Sequence, residues 1–99
     1  MSTLTLEHEP LAVDLTVTGE TLSLVLADGR SLSIPLAWYP RLAQATQAER
    51  DHWHLLGDGY AIEWPDLDEH IGVAGVLAGR RSGESAVSFT RWMASRRNR

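Results

Sequence analysis

The sequence predicts a small single-domain α+β protein. Three observations carry that reading. Short apolar segments alternate with polar residues at period two near the N-terminus, helix-starting signals stand at Pro40 and Thr46, and residues 84–97 space apolar side chains as a helix does. Ninety-nine residues suffice for one modest core and not for two. Hydrophobic content of 43% and charged content of 22% are those of a globular chain.

In order along the chain, LAVDLTV (residues 11–17) and TLSLVL (21–26) read as half-buried strands. Gly19-Glu20 fits a two-residue type II′ loop, with Gly19 at positive φ. Pairing Thr18 with Thr21 then sets Val17 opposite Leu22, Leu15 opposite Leu24 and Val13 opposite Leu26. The next turn discriminates more sharply. A two-residue Asp28-Gly29 loop would set Leu24 and Leu26 against Ser33 and Ser31, mixing polar with apolar on one face. A three-residue loop, Ala27-Asp28-Gly29 with Gly29 left-handed, pairs Leu24 with Leu32 and Leu22 with Ile34 instead. The expected result is an antiparallel three-stranded meander ending at Pro35, which lacks a ladder donor.

Pro40 suits the first turn of a short helix through RLAQA. Thr46 and Glu49 have capping-box spacing and start a second, QAERDHW. WHLL and YAIEW flank Gly-Asp-Gly as an aromatic-rich second hairpin, and PDLDEH then reads as an acidic turn. A short apolar helix over residues 73–78 stops at Gly79. Residues 84–99 form a basic C-terminal helix or tail of the same domain, whose α+β part spans 1–83.

Charge is uneven. Residues 1–79 hold three arginines against twelve carboxylates, net −9, and residues 80–99 hold six against one, net +5. The tail therefore either docks on the acidic body or meets an anionic partner. No cysteine is present, which removes disulfides, thiolate metal sites and cysteine nucleophiles. No apolar run approaches the roughly 18 residues of a membrane span, and MSTLTLEHEP has no secretory pattern, so a cytoplasmic location is expected.

Chemistry-bearing patterns are sparse. His52 and His54 are a His-x-His pair that a metal-dependent enzyme would need to supplement with a distant third ligand. Asp66, Asp68, Glu69 and His70 cluster acids with an imidazole, but a calcium loop would need Gly where Ile71 stands. Neither a nucleophile elbow nor a phosphate loop occurs. Arg91, Arg96, Arg97 and Arg99 would carry any nucleic-acid contact. Adjacent Trp38 and Tyr39 cannot both point inward from a simple strand, and an exposed aromatic beside Arg41 has the composition of an interface hot spot.

DGRSLSIPLAWYPRLAQATQAER and GYAIEWPDLDEHIGVAGVLAG together resemble the bacterial family catalogued as domain of unknown function 2442, over roughly residues 11–79. The marks are the DGR turn, the P-L-x-W-Y-P-R-L junction and the W-P-x-L-D-E segment ending in L-A-G. The chain departs from the family pattern at Glu63, His70, Gly72 and Ala74. The resemblance implies a small α+β fold and a protein partner, the product of a neighbouring gene of the domain of unknown function 4160 family, in a pair like a toxin–antitoxin module. The expectation is thus a non-enzymatic interaction module without a cofactor. Trp38, Tyr39, Arg41, Asp66, Asp68 and Glu69 would form its partner-binding surface. The alternatives are a nucleic-acid-binding regulator, a metal enzyme at His52 and His54, or homodimerisation through an open sheet edge.

Overall fold

The structure, a computed structural model, describes residues 9–97. Two three-stranded antiparallel sheets with short helices and a C-terminal helix make a small α+β domain. The first sheet is the meander β1 (Ala12–Val17), β2 (Thr21–Leu26) and β3 (Ser31–Pro35), in that spatial order. Its inner face buries Leu15, Val17, Leu22, Leu24, Leu26 and Ile34. The three-residue loop is present. Leu26 N donates to Arg30 O at 2.8 Å, Gly29 has φ of 95°, and Leu24 pairs with Leu32 and Leu22 with Ile34.

Two expectations in this sheet need correction. Val17–Leu22 and Leu15–Leu24 pair as expected, but the register then shifts between Ala12 and Asp14, so Ala12 and not Val13 faces Leu26. The extra residue turns Val13 outward, 54% exposed, and seals the small Ala12 inside. At this point the strand meets the turn at Gly59: Ala12 N donates to Gly59 O at 2.8 Å, and the backbones are so close that a Cβ on Gly59 would overlap the carbonyl oxygen of Ala12. Gly19, for its part, does not adopt positive φ. The Thr18 hydroxyl accepts from Glu20 N (3.2 Å) and Thr21 N (3.0 Å), closing the turn without the type II′ conformation.

After Pro35 a 3-10 turn, Leu36–Trp38, leads to α1 (Pro40–Ala43), with Pro40 at its first position. The capping box of α2 (Gln47–Asp51) is complete: Glu49 N donates to the Thr46 hydroxyl (3.1 Å), and Thr46 N to the Glu49 carboxylate (2.9 Å). The Arg50 guanidinium reaches back to the carbonyls of Leu42 and Ala43 at the end of α1, adding to the bond that Leu42 O accepts from Ala45 N.

The second sheet contains β4 (His54–Leu56), β5 (Ala61–Trp64) and β6 (Glu69–Gly72). It is a meander, not the expected hairpin alone, and the last two residues of the supposed acidic turn, Glu69 and His70, open its third strand. Pro65–Leu67 form a 3-10 turn, and Asp68 adopts a left-handed conformation (φ 50°). That reverses the chain tightly enough for β6 to pair back on β5, Glu69 facing Trp64 and Ile71 facing Ile62. α3 (Val73–Leu77) follows at once, stopped by Gly79 at φ 79°. α4 (Ala86–Arg97) closes the fold. Trp64, Leu36, Leu42, Ile62, Leu67 and Val73 join Leu22 and Leu24 as the largest fully buried side chains. Truncating any of the buried leucines would cost about 2–5 kcal/mol. Among the described residues no helix is long and apolar enough to cross a membrane.

Candidate functional site

A cleft of about 190 Å³ opens where β6 and α3 meet the segment 80–83. β6 supplies its floor because Asp68 throws the chain back, and Gly79 stops α3 so that Arg80–Ser82 can pass over the mouth. Tyr39 forms one wall. It is buried, and its hydroxyl donates to Arg80 O at 3.1 Å, tying the 80–83 segment to the start of α1. Burial, with the charge of Glu69 nearby, pushes the Tyr39 phenol up from its ordinary pKa.

Glu69 stands at the inner end. Desolvation raises its pKa, a shift only partly offset by the hydrogen bond from His70 N and the charge of Arg41. At the rim, half-buried Trp38 carries the Arg81 guanidinium 4.6 Å from its ring centroid, and Trp38 O accepts from Ser82 N at 3.1 Å. Arg80 and Arg81 are exposed and have no carboxylate partner among the described residues. The cleft thus presents one carboxylate, a phenol already committed, and two free guanidinium groups, a set suited to recognising charged groups.

Of the six residues expected at a partner surface, Trp38, Tyr39 and Glu69 come together here. Arg41 lies close by but is engaged within the chain. Its guanidinium binds Glu84 (Nη2 to Oε2 2.6 Å, Nε to Oε1 2.9 Å) and donates to the carbonyls of Leu67 (3.0 Å) and Asp68 (3.1 Å). It is an internal clamp, 15% exposed, and its hydrogen bonds to Glu84 raise its pKa further. The Asp68 carboxylate is almost fully exposed, 3.8 Å from Arg41. Asp66 points elsewhere, to His52 Nδ1 at 2.7 Å.

His54 pairs with Glu63 at 2.7 Å, so the two histidines serve different carboxylates. No three metal-ligating side chains converge among the described residues. In the basic tail, Arg96 binds Glu49 (2.7 and 3.0 Å) and lies 4.6 Å from the Trp92 ring centroid, where Arg41 also approaches to 5.3 Å. The Arg96 hydrogen bonds lower the Glu49 pKa to about 2. The tail therefore docks on the acidic body through Arg96 and leaves Arg91 and Arg97 at the surface. Arg99 lies outside the described residues.

Sequence reasoning missed Arg80, Arg81 and the glycines Gly72 and Gly75 that thin the walls. A usable signal existed: a helix-stopping glycine followed by two arginines after a strand-to-helix junction.

These features define a two-meander α+β domain with a small charged cleft at the junction of its second sheet and α3. The chain belongs to the family described as protein of unknown function (DUF2442), whose pattern matches residues 12–82. Its fold is shared with a crystal structure of a protein of unknown function from Rhodospirillum rubrum (23% identity, 78% of this chain and 95% of that one, TM-score 0.67). It is shared also with a solution structure of an uncharacterised protein from Chromobacterium violaceum (22% identity, 87% of this chain and 75% of that one, TM-score 0.63). No curated protein matches the chain.

Proposed function

We propose that this protein is a non-enzymatic interaction module, the antitoxin-like or adaptor member of a two-gene pair. It acts in the cytoplasm and binds the small product of the neighbouring gene, of the domain of unknown function 4160 family. The contact surface is the cleft with its Trp38–Arg81 rim. One observation carries the reading: a partly buried tryptophan lies under an arginine without an ion-pair partner among the described residues, at the mouth of a cleft that holds a carboxylate likewise unpaired. Tryptophan, tyrosine and arginine are the side chains that dominate binding energy at protein interfaces.

Cleft size supports a protein partner over a small-molecule substrate. Ligand pockets usually enclose about 300–1,000 Å³, and about 190 Å³ accommodates a single side chain. Co-expression with the neighbouring gene product followed by size-exclusion chromatography tests the proposal. Co-elution is expected, and Trp38→Ala or Arg81→Ala should weaken the complex at least about tenfold, the scale of one hot-spot residue. Two separate peaks in mild salt would refute it.

A further inference from the structure

Cross-strand pairing determines which face of the second sheet each side chain takes. Trp64 lies opposite Glu69 and Ile62 opposite Ile71. Since Trp64, Ile62 and Ile71 are all buried, Glu69 takes the inward-facing side of its strand and is only partly exposed there. A carboxylate so placed loses hydration and needs a counter-charge. The described residues supply none within 4.0 Å. Arg41 is committed to Glu84 and two carbonyls, and Arg81 is laid on Trp38. Glu69 accepts a single hydrogen bond among the described residues, from His70 N to Oε1 at 3.1 Å.

We propose that the cleft is a receptor for a lysine side chain of the protein partner, its ammonium seated on Glu69 and its stem lying along Tyr39 and Val76. The inference rests on the interaction-module reading and specifies what that module recognises. Lysine fits better than arginine for two reasons. Glu69 Oε1 is already engaged by His70 N, so the two-oxygen fork that a guanidinium prefers is half taken, whereas an ammonium needs only a point contact. The cleft also has Tyr39, Ile71 and Val76 in its lining, against which a tetramethylene stem packs. Arg80 and Arg81 then act on the lysine's surroundings. They favour a partner segment in which carboxylates flank the lysine, and they repel one that is basic throughout.

Titration of the full chain with N-acetyl-lysine methylamide, followed by amide chemical shifts, tests this. Saturable shifts are expected at His70, Ile71, Gly72 and Gly75, with a dissociation constant on the order of millimolar. They should weaken at least tenfold with the norleucine analogue and in Glu69→Gln, whose folding is verified by its thermal melt. No saturable shift, or equal affinity in Glu69→Gln, would overturn the proposal. Tighter binding of the capped arginine or capped glutamate would overturn it too, the latter assigning the cleft to an anion on Arg80 and Arg81. Failure here with intact co-elution of the two proteins removes only the lysine receptor. Lysine binding without co-elution removes only the neighbouring-gene partner.

Discussion

Glu49 caps α2 and pairs with Arg96 through one carboxylate, and Glu49→Gln separates the two roles. An amide oxygen still accepts from Thr46 N, so the capping box survives; the charge facing Arg96 does not. The Glu49 pKa falls from 4.5 to about 2 in the folded protein. At about 1.4 kcal/mol per unit that corresponds to about 3 kcal/mol. Part of it comes from the retained Thr46 contacts, and the pair sits near the surface with side chains 17% and 16% exposed. Screening reduces the expected loss to about 1–2 kcal/mol.

For a domain of this size that is a fall in Tm of about 5–10 °C at pH 7. The sign of the pH dependence follows from the direction of the shift. A carboxylate with a lowered folded pKa contributes its full stability above about 4.5 and loses it as pH falls toward about 2. The gap between the wild type and Glu49→Gln should therefore be open at pH 7 and closed near pH 2. Thermal melts by circular dichroism across that range, with a double-mutant cycle against Arg96→Gln, measure it. A coupling energy indistinguishable from zero, or a gap that ignores pH, would refute the reasoning.

Glu69 behaves in the opposite sense. Because its folded pKa is raised, its ionisation opposes folding above the ordinary carboxylate range. Tyr39, His70, Arg41, Asp68, Glu84 and the two cleft arginines face it, and none cancels the desolvation, so Glu69→Gln should raise Tm at pH 7 and leave it unchanged below pH about 4. A lower Tm at pH 7 in that variant would count against an uncompensated carboxylate. Gly59→Ala, at φ 106° with the Ala12 carbonyl in the way, should cost about 1–3 kcal/mol or more in urea unfolding. A loss below about 0.5 kcal/mol would mean that the two sheets are not joined tightly there. Arg81→Ala should leave Tm within about 3 °C while weakening co-elution with the partner, since Arg81 is exposed and makes no ion pair among the described residues.

Legibility in the sequence followed the locality of the cause. The loop at Ala27–Gly29 was readable because the wrong register would have set serines against leucines, a conflict visible within ten residues. The capping box was readable because both partners lie three residues apart. The bulge that expels Val13 was not, because Ala12 there meets Gly59, in the turn between β4 and β5 and 47 positions away. β6 was hidden by its brevity and by Glu69, a charged residue on the inward face where a period-two pattern expects an apolar one. The same conflict conceals the cleft: the local rule fails at the residue that gives the cleft its charge. Of Trp38 and Tyr39, one is only partly buried and the other fully so, as adjacency required. That Arg41 turns to Glu84, 43 positions away, is a long-range fact that composition at the junction does not contain.

The attachment of α4 has a polarity. The helical segment brings one acid and one base, Glu84 near its start and Arg96 near its end, and the body offers the complementary base and acid, Arg41 and Glu49. Trp92 lies between, with both guanidinium groups close to its ring. Laid down the other way round, the helix would bring Glu84 toward Glu49 and Arg96 toward Arg41, two like-charge encounters in place of two ion pairs. The four charges act as a keyed connector that admits the helix in one direction; swapping the charges of one pair alone would keep both native contacts and make both reversed ones attractive as well, erasing the key.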